Sequence, residues 1–233
     1  MASLPAERLI PDYPFAVTGL DYAGPIKVTP SKERKITSNK GYICIFVYFV
    51  TRAMLIEIVS DMTAKTFLAA FDRFCNRRGL PKIVYSNNAK TFEGAEGEIR
   101  KLFAEKSESF REIKEYVTNL EISWFYSPPY GPHFGGIWKA SVKSFKYHYR
   151  RVLGESALTF EEHSTLATHI ESCLNSHPLC SISLDSRDPI PLTPGHFLIG
   201  RPLRNLPPTS NNADTTKTYS QRWTFIMAMR NSF

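Results

Sequence analysis

PPYGPHFGGIWKASVKSFKYHYRRVL, residues Pro128 to Leu153, changes character halfway along. Pro128, Pro129, Gly131, Pro132, Gly135 and Gly136 forbid regular structure, so the segment opens as a rigid turn. From Ile137 the pattern is helical: Ile137, Val142, Phe145, Tyr149 and Val152 recur as an apolar stripe. Lys139, Lys143, Lys146 and Arg150 recur on another face, and the aromatic pair Phe134 and Trp138 stands beside the first turn. Most basic stripes are simply solvated. Here, however, no acid occurs between Ile137 and Gly154. A face built for stability mixes signs in i,i+4 pairs. A single-sign face repels itself and points to an anionic partner, nucleic acid first among them.

The whole chain has the same bias. Its 233 residues carry a net charge of +7 with a pI of about 9.2. With 42% hydrophobic and 22% charged residues it is globular, large enough for one large domain or a domain with appendages. The four cysteines, Cys44, Cys75, Cys173 and Cys180, show no Cys-x-x-Cys spacing, which predicts reduced thiols in an intracellular protein rather than a disulfide framework. Cys173, His177 and Cys180 lie close together but lack the second ligand pair of a zinc site. The longest apolar run, Tyr42 to Val50, is far shorter than the roughly 20 residues a bilayer requires. The opening MASLPAER has no apolar signal core.

Taken in order, residues 1–14 read as an extended lead-in. Phe15–Tyr22 reads as a strand stopped by Ala23-Gly24-Pro25, with Asp21 near its end. Tyr42–Phe49 reads as a strand buried on both faces, joined through Thr51-Arg52 to a third strand, Ala53–Val59. Ser60 or Thr63 caps a helix from Ala64 to Arg78, with Phe67, Leu68, Phe71 and Phe74 on its apolar face and Gly79 at its end. A strand at Pro81–Tyr85 breaks at Ser86-Asn87-Asn88. Helices at Gly94–Lys106 and Ser109–Leu120 precede a fifth strand, Glu121–Tyr126. Thr159 caps a helix from Phe160 to Asn175, with Glu162 at the capping-box position. Beyond Ser176 the chain is rich in proline and turn residues. Ser210–Thr218 reads as flexible, and Tyr219–Phe233 as a helix interrupted by the chain end. This order predicts an α/β protein with a mixed five-stranded sheet flanked by helices. Sites in such sheets gather at strand ends, which singles out Asp21, Ser86-Asn87-Asn88 and the turn before Lys139.

Those three places, in that order, resemble the catalytic core of a retroviral-type integrase, and most closely that of Bel/Pao-type retrotransposons. TGLDYAGP (18–25) is similar to the family's first-acid strand, KGY (40–42) and TRA (51–53) to its hairpin, and RRGLP (77–81) to the lead into its second-acid strand. Pro129–Trp138 matches Pro-x-x-Pro-His-Phe-Gly-Gly-x-Trp, while NSHPL (175–179) and LTPGHFLIG (192–200) match carboxyl-terminal signatures. The resemblance runs from about Leu4 to Leu206. It implies a ribonuclease-H-like fold over residues 15–180, a carboxyl-terminal extension over 181–233 read as truncated, and an amino-terminal zinc module not included in this sequence. It also implies two divalent metals, Mg2+ or Mn2+, strand transfer into target DNA, homo-oligomeric assembly and a nuclear location.

The family's metals are held by an Asp on the first strand, an Asp in Ser-Asp-Asn-Gly and a Glu after Gly-Gly-x-Trp, since hard cations want carboxylate oxygens. Asp21 matches the first acid; Asn87 stands at the second, with Ala89 in place of the Gly; Lys139 stands at the third. The formal charge of the three positions goes from −3 to 0, as −1 from Asp21, 0 from Asn87 and +1 from Lys139. The expectation is a weak or lost metal site at Asp21 and lost strand transfer, with DNA contact kept by Lys139, Lys143, Lys146 and Arg150. A rival reading is an active polynucleotidyl transferase using a displaced carboxylate such as Glu57 or Glu93. Another is a non-catalytic domesticated DNA-binding or assembly protein. Asp→Asn and Glu→Lys can each arise from one G-to-A transition, the kind of change an unselected mobile-element copy accumulates. In a domesticated copy, Lys139 would instead lengthen the basic stripe. Trp138 and Phe134 are expected to pack rather than stack on bases, and His133 to make a structural hydrogen bond.

Overall fold

The computed structural model describes residues 12–29, 39–86, 108–126, 135–154, 156–181 and 191–203. The chain divides into two compact units. One takes the chain up to Ile26 and from Lys40 to Ser144; the other takes Lys27–Asn39 and everything from Phe145.

The first unit is organised on a sheet in the order β3-β2-β1-β4-β5. Its strands are β1 (Val17–Thr29, whose last residues belong to the second unit), β2 (Asn39–Tyr48), β3 (Met54–Val59), β4 (Ile83–Ser86) and β5 (Ser123–Tyr126). β2 and β3 are antiparallel, with Val47 opposite Met54 and Tyr42 opposite Val59. β1, β4 and β5 are parallel. The sheet is therefore mixed and five-stranded, as the element order predicts. From Gly41 onward β2 is buried at every residue, which explains its unbroken apolar run. The hairpin closes with Tyr48 N donating to the Ala53 carbonyl at 2.8 Å, and Arg52 takes a left-handed turn with φ of 60°.

Helix α1 (Ala64–Arg78) covers one face. Thr63 is its cap, its hydroxyl accepting from Thr66 N, with Asp61 bracing Thr63; Gly79 ends it at φ 85°. Phe67, Phe71 and Phe74 are fully buried, at about 2 kcal/mol each in area removed from water. They meet Phe46 of β2 and Trp124 of β5. Helix α2 (Glu108–Asn119) packs on α1 and β5 through Ile113 and Val117, one turn apart. The other face receives the first turns of helix α3 (Gly136–Leu153).

Several boundaries differ from the sequence reading: β2 begins at Asn39 rather than Tyr42, β4 runs Ile83–Ser86 rather than Pro81–Tyr85, and two further shifts have a visible cause. β1 does not stop at Ala23-Gly24-Pro25 but continues to Thr29. Gly24 has φ of 140° and lies where a Cβ would come within 3.0 Å of Tyr42 Cδ1, so a glycine lets the strand pass. Pro25 is exposed and its missing N–H is not a cost there. β5 begins at Ser123 rather than Glu121, because Glu121 has φ of 57° and closes the turn after α2. The segments Gly94–Lys106 and Ser210–Phe233 lie outside the described residues.

In the second unit a short strand β6 (Leu158–Thr159) pairs in parallel with Val28 and Thr29 at the end of β1. Thr159 then caps α4 (Phe160–Asn175) with the reciprocal Glu162 capping box that the sequence predicts. A small antiparallel pair, β7 (Cys180–Ser181) with β8 (Pro191–Leu192), and the short helix α5 (Pro194–Ile199) lie in the stretch the sequence marks as rich in proline and turn residues. Phe145, Tyr149, Leu166, Ala167 and Ile170 form its core.

Candidate functional site

Asp21 is buried at 7% exposure and its Oδ1 accepts from Tyr22 N at 2.8 Å. β1 pairs with β4 from Val17 opposite Ile83 to Leu20 opposite Ser86, so Asp21 follows immediately on the last paired residue. Ser86 is buried, its hydroxyl accepting from Trp124 Nε1 at 3.0 Å. Asn87, Asn88 and Ala89 lie outside the described residues, as do Glu93, His133 and Phe134. Burial pushes the Cys44 thiol well above its ordinary range, and the nearby Asp21 carboxylate adds to the rise.

The start of α3 comes down on the face that carries Asp21. Trp138 is buried at 1%, stacked at 5.7 Å on Phe49 and 6.5 Å on Tyr85. It lies directly over Gly19, where a Cβ would be 2.7 Å from Trp138 Cε3. The pleat of β1 puts Gly19 and Asp21 on one side. Trp138 thus packs, as expected, and locks the register of the helix against the strand two residues from the acid. Lys139, next along, is half-buried. Its side chain folds back over the entry turn, so that a Cβ on Gly135 would lie 3.3 Å from its ammonium. A cation in the first turn meets the positive end of the helix dipole, the site where an acid is stabilising.

Further along α3, Lys143 and Arg150 are exposed and Lys146 is half-buried. Trp138, Ser141, Val142, Phe145 and Tyr149 are the buried residues of its opposite face. Ile137 and Val152, which the sequence places on the apolar stripe, are only half-buried; Trp138 takes the inner position one residue on from Ile137. Sequence reasoning missed Tyr147, which is 62% exposed among these cations. Its signal is its spacing, two residues from both Phe145 and Tyr149, which puts it across the helix from them.

Glu57, a candidate replacement carboxylate, is engaged elsewhere. It sits on edge strand β3 on the α1 side of the sheet, bonded to Arg73 Nε at 2.7 Å and paired with Arg77. Among the described residues no three His, Cys, Asp or Glu side chains converge as metal ligands. A divalent cation takes several hard oxygens, and of the three sequence-predicted positions only Asp21, among the described residues, offers a carboxylate. No helix among the described residues is long and apolar enough to cross a membrane. The four cysteines are free thiols.

The mixed sheet in the order β3-β2-β1-β4-β5, flanked by helices, is a ribonuclease-H-like fold, and Asp21 lies within β1, not at its end as the sequence suggests. Among solved structures the chain is similar to the simian T-cell lymphotropic virus intasome, determined by cryo-electron microscopy in complex with PP2A regulatory subunit B56 gamma. The TM-score is 0.54 at 12% identity, covering 85% of this chain. The match spans 59% of the intasome chain, and at this identity the likeness is one of fold. No family model and no curated protein sequence matches the chain.

Proposed function

We propose that this protein is a Bel/Pao-type integrase core that binds DNA through α3 and has lost strand transfer. The fold supports the integrase part, and the ordered motifs of the sequence support the Bel/Pao part. Lys139 carries the rest: its ammonium occupies the entry turn of α3, where the resemblance requires a metal-holding Glu. An ammonium repels the dication that the chemistry needs, and Asn87 is a poor ligand in place of an Asp. An active enzyme would have to recruit another acid, and Glu57 is held by two guanidinium groups. Homo-oligomeric assembly and a nuclear location belong to the same reading.

The test is a Mg2+ and Mn2+ titration of the chain beside the Asn87→Asp, Lys139→Glu double variant. Metal binding by the variant alone is the expected result. Binding by the unaltered chain that Asp21→Ala abolishes would overturn the loss of the site. For the DNA component, Lys143→Glu plus Lys146→Glu should weaken duplex binding, and log affinity should fall with log salt at about −0.9 per phosphate contact. Unchanged affinity in that variant would remove the DNA part of the reading.

A further inference from the structure

The fold uses Trp138, Phe145 and Tyr149 of α3 as buried packing rings. Tyr147 is treated differently: no other large apolar side chain among the described residues is as exposed. A lone exposed aromatic is ordinary on a protein surface. What sets this one apart is its surroundings. Lys143 lies one turn before it, Arg150 and Arg151 one turn after it, all three exposed, and the helix contains no carboxylate. The His148 ring meets the Tyr147 ring at 80° with centroids 5.3 Å apart, which braces it.

We propose that Tyr147 is a base-stacking platform within the basic face of α3, so that the helix holds unpaired DNA nucleotides and not only the phosphates of closed duplex. The proposal rests on the DNA-binding reading above and specifies the form of DNA. The cations supply affinity for any phosphate chain, independent of its sequence. A base inside a duplex already has both faces stacked. An unpaired base presents a free π-face, and a tyrosine ring with two side-chain torsions accepts it at small entropic cost. A cation-flanked aromatic therefore discriminates single-stranded tails and frayed ends from closed helix, which a purely basic face cannot do.

Fluorescence anisotropy on the 233-residue chain tests this with two labelled probes, a single-stranded oligothymidine and a closed hairpin duplex with the same number of phosphates. Tyr147→Ala should weaken oligothymidine binding about tenfold and leave the hairpin within about twofold. Its salt slope should stay that of the parent, because no cation is removed. Tyr147→Phe should bind as the parent does, since the ring and not the hydroxyl stacks. Equal loss on both probes, no loss on either, or a Phe variant as weak as the Ala variant each overturns the stacking role. Lys146→Glu plus Arg150→Glu probes the reading underneath. If that variant holds both probes unchanged, DNA binding itself fails; if it weakens both while Tyr147→Ala behaves as the parent, only the stacking role falls.

Discussion

Helices α1 and α3 both pack on the sheet, yet they handle charge in opposite ways. α1 starts with a hydroxyl cap braced by an acid, Thr63 with Asp61, and returns Arg73 and Arg77 to Glu57 on the sheet. α3 starts on two glycines with no acid in its first turn, and has a lysine there and basic residues on its outer face. What α1 satisfies within the molecule, α3 leaves unsatisfied by its own sequence. The difference separates a helix whose outer basic residues are paired back to the sheet from one whose inner face packs on the sheet and whose outer face is basic without an acid of its own.

The sharpest way to break that division is at the inner face of α3. Trp138→Ala should cost about 3–5 kcal/mol, since the buried ring leaves a cavity between Phe49 and Tyr85; urea unfolding followed by far-UV circular dichroism measures it. Next comes the anchor of α1. Glu57→Ala should cost about 1–2 kcal/mol, the small end of a charged hydrogen-bond loss, because Arg73 and Arg77 keep access to water. A loss as large as that of Trp138→Ala would mean that α1 depends on its ion pair as heavily as α3 depends on its ring.

How much of this could be read beforehand varies with the kind of signal. The α1 span, its Thr63 cap and Gly79 stop, and the α4 capping box are local chemistry and stand in the sequence at their observed positions. So are the turn-side ends of the β2–β3 hairpin and the start of α3 to within a residue, while β2 begins three residues before the expected Tyr42. The continuation of β1 past Pro25 was not legible, because it depends on Tyr42 lying beside Gly24, a contact distant in sequence. The engagement of Glu57 was equally hidden, since its partners come 16 residues and more later, on another element. Of the candidate site, Asp21 and Lys139 were found by motif, but the depth at which Trp138 seats beside them depends on the absence of a side chain at Gly19.

A smaller effect separates the polar anchor of α3 from that of α1. Tyr149 is hydrogen-bonded to His163 Nδ1 at 2.5 Å, and His163 Nε2 donates to the Lys27 carbonyl at 2.9 Å, which wedges the imidazole between them. Burial holds its pKa below the ordinary 6.5, although the Lys27 carbonyl and Glu162 push it up. As pH falls below 6.5 the unfolded chain takes up a proton that the folded one resists, so stability declines toward the lowered folded value and is unaffected by this group above 6.5. Unfolding midpoints measured across that range should show the decline, and His163→Gln should flatten it. The smallest expected change is a gain: Lys139→Glu should add about 0.3–1 kcal/mol by placing an acid at the positive end of the helix dipole, read as a small rise in the urea midpoint.

Gly19 gives the chain an uneven tolerance for mutation. The height of α3 above β1 is set by one hydrogen atom, because a methyl there would already lie 2.7 Å from an indole that stacked rings prevent from retreating. A residue two positions further along the strand, or one further along the helix, can reverse its charge without altering that height. The charges carried beside this contact are therefore free to vary while the frame that holds them keeps its dimensions.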